Sequence, residues 1–294
     1  MLGAAKAETH GAITIVNAMA TGKGAALGVN LWTRATVTIT NQRGEFKASN
    51  ITDPHEIADL AEATARHVFA SFGVAKRLGA VIETESNIPI AVGLKSSSAA
   101  SNAVALASLH ALGKNVNDME AIRLGVEASL KMGVTLTGAF DDACASFLGG
   151  LVVTDNTKRK ILKRFKPRAS LKVLIHVPQV KIYTRDVDPK SFKTIKPFVQ
   201  VAHQETLRGN YWAALTLNGL VYSMALHQDS RLSTAALHAG ALAAGLTGKG
   251  PAVAAVVSGS KMDAVRASWK GTGGRVIETS LNFRKAKVSK VLQS

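Results

Sequence analysis

Hydrophobic and polar positions define the elements of this chain before any motif does. Residues Ala12–Ala20 and Ala35–Thr40 are apolar or alternate with β-branched side chains, as strands do. Asp53-Pro54-His55-Glu56 supplies a cap, a proline at the first helical position and a glutamate at the third, predicting a helix to about Phe72. Val81–Glu85 reads as a short strand. Pro89 and Gly93 then forbid regular structure before an alanine-rich helix that starts at about Ser97. Asn117 caps a further helix to Lys131, and Asp141–Leu148 is a short one that Gly149-Gly150 ends before a strand at Leu151–Thr154. The polar, turn-like stretch Asn156–Arg159 is where a domain boundary is expected.

The second half reads as a strand at Leu171–Val177 and helices near Lys196–Leu207, Tyr211–Leu226 and Ser230–Ala243. A glycine turn, a strand at Ala252–Val257, a helix at Met262–Trp269 and a strand at Arg275–Thr279 complete it. Strands and helices without strict alternation indicate an α+β protein. With 294 residues, two lobes are expected, 1–155 and 156–294, because domains cluster at roughly 100–150 residues.

Composition adds little to the fold and more to the setting. Apolar residues make up 47 % of the chain but aromatics only 5 %, so helices should pack closely on small side chains. The single cysteine, Cys144, excludes an internal disulfide and a cysteine-based zinc cluster, and a reducing cytoplasm is the expected compartment. No apolar run reaches the ~18 residues of a membrane span, and the first residues lack a signal peptide's apolar core. The net charge of +16 is uneven: Lys158 to Lys196 holds thirteen basic residues against Asp186 and Asp188, and Lys261 to Lys290 eight against Asp263 and Glu278. Such a field attracts anions, whether nucleotides, carboxylates or nucleic acid. A nucleic-acid binder would interleave aromatics with its basic residues, whereas Phe165, Tyr183, Phe192 and Phe198 are sparse, so no nucleic-acid partner and no membrane partner is expected.

The candidate chemistry begins at Pro89-Ile-Ala-Val-Gly93-Leu94-Lys95-Ser96-Ser97-Ser98-Ala99, which leads directly into a helix. A helix N-terminus offers unpaired N–H groups and partial positive charge, Gly93 allows close backbone approach, the serines can donate, and Lys95 adds a full charge. The same residues would also make a serine-capped helix after a turn. No G-x-x-x-x-G-K-[ST] occurs, so a Walker loop is excluded, and Gly22-Lys23-Gly24 with Gly28 lacks dinucleotide-loop spacing.

Three segments together resemble the GHMP kinases, the superfamily of galactokinase, homoserine kinase, mevalonate kinase and phosphomevalonate kinase. They are the Pro89–Ala99 loop, Thr137-Gly138-Ala-Phe-Asp141-Asp142-Ala143, and Ala244-Gly245-Leu-Thr-Gly248-Lys249-Gly250-Pro251. Most of that superfamily has glycine where Lys95 stands. The variant G-L-K-S-S-S-A, with NAMATGKGAALGVNLWT and TGAFDDACASFLGG, resembles the archaeal-type shikimate kinases almost end to end. The resemblance implies a two-lobed fold with a ribosomal-protein-like N-terminal lobe and a ferredoxin-like C-terminal lobe. It also implies ATP and Mg2+, with transfer of the γ-phosphoryl group to the 3-hydroxyl of shikimate in aromatic amino-acid biosynthesis. A kinase for another small alcohol, homoserine or mevalonate, is the nearer alternative.

By the same resemblance Pro89, Gly93, Leu94, Lys95, Ser96, Ser97, Ser98 and Ala99 hold the nucleotide, Asp141 is the catalytic base, and Lys23 is the lysine beside it. Asp142 is the rival base, and either aspartate could instead cap its helix. Ser98 and Glu127 match the metal-binding residues, with a small insertion around Met132–Leu136 before the catalytic segment. Gly248, Lys249 and Gly250 would close on the phosphates or the acceptor. Arg185, with Lys181, is the candidate for the acceptor carboxylate, because arginine grips carboxylates in bidentate fashion. Cys144 and the eight histidines receive no chemical role.

Overall fold

The computed structural model describes residues 3–56, 58–135, 137–182 and 188–290. Two sheets organise it. The first has seven strands: β1 (Ala4–Val16), β2 (Lys23–Thr40), β3 (Phe46–Asn50), β4 (Gly79–Ser86), β5 (Leu151–Asp155), β6 (Lys160–Phe165) and β11 (Lys287–Lys290). The path β11-β1-β2-β4-β3 is antiparallel except for the parallel β3–β4 pair. At eighteen residues β2 is long enough to serve two partners: its Thr33–Thr40 half pairs with β4 and its Lys23–Leu27 half with β5, which continues to β6.

Helices α1 (Asp59–Ser71), α2 (Ser96–Ala111), α3 (Asp118–Lys131) and α4 (Phe140–Leu148) pack against this sheet. Their core is built from Val68, Phe69, Val104, Ile122, Phe140 and Phe147 over Val37 and Ile82. Alanines at 99, 103 and 107 let α2 lie close to the strands, as the alanine-rich composition leads one to expect.

The second sheet has the antiparallel order β10-β7-β9-β8, with β7 (Lys172–Val177), β8 (Ala243–Leu246), β9 (Val253–Val257) and β10 (Arg275–Ser280). Helices α5 (Lys196–Arg208), α6 (Tyr211–Ala225) and α7 (Arg231–His238) lie between β7 and β8, and α8 (Met262–Ser268) between β9 and β10. That order of β, helices, β, β, helix, β is ferredoxin-like. Strand alternation buries both faces. Val173, Ile175, Ala254 and Val256 meet Ile13, Ile15 and Leu27 of the first sheet and Leu215 and Tyr222 of α6, while Leu174, Ala255 and Val257 face Val265 and Trp269. The shared core joins the two sheets into one body.

Several boundaries differ from expectation for physical reasons. The first strand ends at Val16 because Asn17 accepts a hydrogen bond from Met19 N, capping a turn at Ala18–Ala20. The first helix begins at Asp59, since Asn50 Oδ1 takes the N–H groups of Thr52 and Asp53 and folds that stretch into a turn. Asn156–Arg159 is the turn of the β5–β6 hairpin, so the division expected at 155/156 falls inside the first sheet, to which β11 also returns. Strand β8 occupies the end of the expected helix Ser230–Ala243 and the glycine turn after it. No helix among the described residues is long and apolar enough to cross a membrane.

Candidate active site

A cleft of about 590 Å³ opens where the N-terminus of α2, the start of α4 and the β8–β9 turn converge. Its walls include Gly93, Lys95, Ser96, Ser97, Ser98, Asp141, Asp142, Gly248 and Lys249, so all three glycine-bearing segments meet there.

The α2 end is shaped by left-handed backbone. Gly93 has φ +88°, and a side chain there would strike the carbonyl of Thr247 on the opposite loop, so only glycine fits. Lys95 is the N-cap of α2 at φ +66°, a conformation non-glycine residues rarely adopt, and it is retained at a strained position. The first N–H groups of α2, at Ser96, Ser97 and Ser98, lie ahead of the first intrahelical bond, donated by Ala99 N to Lys95 O. Leu94 and Ala99 are buried beneath the loop, and Pro89 at its entry is half-buried.

Opposite lies the β8–β9 turn. Thr247 Oγ1 donates to Gly93 O at 3.0 Å and accepts from Thr14 N, Gly248 N donates to Thr14 Oγ1 at 2.8 Å, and Asn17 Nδ2 donates to Gly248 O at 2.8 Å. These bonds tie both glycine loops to β1. Gly250 N donates to Thr247 O, closing the turn.

Between the loops sit two adjacent carboxylates, both buried at the start of α4. Lys95 Nζ is 3.1 Å from Asp142 Oδ1, an ion pair of two largely buried side chains. Asp142 Oδ1 otherwise has no hydrogen-bond partner. Burial raises the Asp142 pKa, and Lys95 and Lys249 partly offset this. Asp141 is pushed up to about 7, first by burial and next by the charge of Asp142, against the opposing pull of Lys95 and a hydrogen bond from Asn156. Asp141 Oδ1 accepts that bond, from Asn156 Nδ2, at 2.7 Å. Its Oδ2 lies over Gly24, where a Cβ would collide with the carboxylate. Burial also raises the Cys144 thiol, one turn further along α4 and inert.

Two expected residues are not brought together with this cluster. Lys23 is exposed at the start of β2, opposite Asp155 in register. Because Gly24 faces Asp141, alternation turns Lys23 to the other face, where burial first and the charge of Lys23 next lower the pKa of His203; Lys95 is the lysine beside the carboxylates. Glu127 does not line the cleft: its Oε1 accepts from Arg159 Nη1 at 2.8 Å, and its Oε2 lies 3.2 Å from His67 Nε2. Arg185 lies outside the described residues. Lys181 is at the rim, 3.5 Å from Glu56, which lines the cleft.

Two functional residues escaped sequence reasoning. Asn156 looked like turn composition, and only β5–β6 pairing swings it onto Asp141. Asn17 looked like the middle of a strand. As for a metal, among the described residues no cluster of three His, Cys, Asp or Glu side chains is placed to hold one. Asp142 Oδ1 is buried and already ion-paired with Lys95, so the Ser98 hydroxyl is the oxygen of this cluster that suits magnesium, which takes one or two protein oxygens and completes its shell with phosphate and water.

Comparison with known proteins agrees with this geometry. Residues 59–150 match the GHMP kinases N terminal domain. Shikimate kinase of Methanosarcina mazei is 44 % identical over 274 residues, covering 92 % of this chain and 92 % of that protein. Shikimate kinase of Pyrococcus furiosus is 42 % identical, covering 92 % and 96 %. Among solved structures, homoserine kinase from Cytophaga hutchinsonii superposes with a TM-score of 0.75 at 18 % identity, covering 98 % of each chain. Methanococcus jannaschii mevalonate kinase gives 0.75 at 15 %, covering 94 % of this chain and 98 % of its own.

Proposed function

The chain belongs to the GHMP kinases and, within them, to the shikimate kinase family, and from that premise we propose that it phosphorylates shikimate at the 3-hydroxyl with ATP. The observation that carries the mechanism is the buried Asp141–Asp142 pair, with Lys95 bound to it, at the meeting point of two glycine loops. Phosphoryl transfer needs positioning and charge stabilisation more than covalent chemistry.

The triphosphate lies against the α2 N-terminus, where the N–H groups of Ser96, Ser97 and Ser98 and the helix dipole receive negative charge. The acceptor hydroxyl lies against Asp141. Its proton passes to the Asp141 carboxylate as its oxygen bonds to the γ-phosphorus and the bond to the β-phosphate oxygen breaks, releasing ADP. A base poised near pH 7 both accepts and returns that proton readily. Lys95, held by Asp142, keeps a fixed positive charge at the point of transfer. Lys249, across the cleft, meets the carboxylate of the acceptor. Ser98 would help to hold a magnesium ion, which when bound would neutralise charge on the triphosphate. The reaction is placed in the cytoplasm, where ATP is plentiful and a lone thiol such as Cys144 stays reduced.

The test is a coupled ADP-release assay over shikimate, homoserine and mevalonate with Mg-ATP. Turnover with shikimate and little with the others is expected. Activity on homoserine or mevalonate with none on shikimate would overturn the acceptor assignment.

A further inference from the structure

Asp141 is anchored by one side chain from outside the three loops. Asn156 is buried on the β5–β6 turn, and its backbone N–H donates to Gly22 O at 2.8 Å, which fixes the turn against the start of β2. Its amide orientation is dictated by its neighbours. Thr154 Oγ1 donates to Asn156 Oδ1 at 2.6 Å, and Asp141 N donates to the same oxygen at 3.3 Å. With Oδ1 occupied by two donors, the NH2 group has to point at Asp141, where it donates to Oδ1 at 2.7 Å. Gly24 gives Asp141 Oδ2 its space on the other side.

We propose that Asn156, oriented by Thr154, is a positioning residue for the transfer reaction: it holds Asp141 by Oδ1 and so leaves Oδ2 to take the proton of the acceptor hydroxyl. The inference rests on Asp141 being the base. Asn156 is not among the residues that line the cleft and acts only through that carboxylate. A neutral donor serves better here than lysine would, because it orients the carboxylate without forming an ion pair that would quench its basicity. Its hydrogen bond favours the ionised form, and in its absence burial and Asp142 are opposed by Lys95 alone among the side chains that act on Asp141.

The experiment measures kcat and KM against pH for the wild type, Asn156→Ala, Thr154→Val and Asp141→Asn, with Mg-ATP binding by calorimetry as the check on folding. Asn156→Ala is expected to lower kcat at pH 7 by roughly tenfold to a hundredfold, with little change in Mg-ATP affinity, and to move the acidic limb of the kcat profile to higher pH. Thr154→Val keeps the side-chain volume and should shift the limb in the same direction by less; it carries the test if the alanine variant fails to fold. A loss of kcat with an unmoved acidic limb, or wild-type behaviour in the variant that folds, would overturn the inference. An inactive Asp141→Asn beside an unperturbed Asn156→Ala removes only the role of Asn156. A fully active Asp141→Asn removes the base assignment and this inference with it.

Discussion

Asp141 and Glu127 both stood out as candidate site acids, and the structure treats them in opposite ways. Glu127, on α3, is saturated: an arginine holds one oxygen and a histidine the other. Lys131 Nζ lies 3.1 Å from His67 Nδ1, which leaves the imidazole proton on Nε2 to be donated to Glu127. The Asp141–Asp142 pair is buried and under-compensated: the ion-paired Lys95, the charge of Lys249 and a hydrogen bond from Asn156 only partly offset burial and the repulsion between the two carboxylates. The lesson is physical. A carboxylate with one oxygen held by a cation and the other by a neutral donor is fixed in the scaffold, whereas one held in a low-dielectric cleft with charge left over is poised to exchange a proton.

The contrast can be broken first at Asp141. Asp141→Asn removes the base and is expected to lower kcat by roughly 10²–10⁴-fold while leaving Mg-ATP affinity within about twofold, measured by ADP release and calorimetry. Lys95→Met removes the cation beside the pair. A kcat loss on the order of 10²-fold is expected, with the acidic limb of the profile moved to higher pH, because the charge that favours ionised aspartates is gone.

The wild-type pH profile sharpens the comparison further. If Asp141 is the base, as proposed, only its ionised form is active, so kcat should fall about tenfold per pH unit below a limb near 7. The sign for stability is the reverse. Because the folded-state pKa is raised, the native protein binds this proton more tightly than the unfolded chain, and the Asp141 contribution weakens as pH rises from about 4 to 7. Asp141→Asn escapes that loss. Its Tm should exceed the wild-type value by roughly 2–8 °C at pH 8, with the difference shrinking at pH 5, as followed by thermal melts.

The smallest effect belongs to Glu127. Its ion pair with Arg159 is about one-third exposed, so Glu127→Gln should change stability by less than about 1 kcal/mol and leave turnover within about twofold.

How far the sequence could reach follows from the range over which each signal acts. Signals carried by a few consecutive residues were legible: Asn117 caps α3, the serines open α2, and Gly149 ends α4. The three loops and Asp141 were legible through resemblance, and the cleft unites them. Signals that depend on register were not. Lys23 and Gly24 differ by one position, and strand alternation sends them to opposite faces of the sheet, so the lysine that the resemblance pointed to lies on the face away from Asp141. Glu127 is claimed by residues 60 positions before it and 32 after it, pairings no local pattern encodes. Asn156 depends on a hairpin whose second strand, β6, is half charged and has no apolar alternation to reveal it. The backbone at residue 95 explains a further point: φ +66° suits the glycine common in the superfamily, and this chain accepts strain there to place a cation on Asp142.

On the proposed mechanism the buried, under-compensated Asp141 performs the chemistry and Glu127, held by Arg159 and His67, does not. Its most direct test is kcat for shikimate phosphorylation at pH 7.5 in Asp141→Asn and Glu127→Gln, measured side by side with saturating Mg-ATP. A loss of at least about 10²-fold is expected in the first and wild-type turnover in the second. Equal losses, or retained turnover in Asp141→Asn, would contradict it.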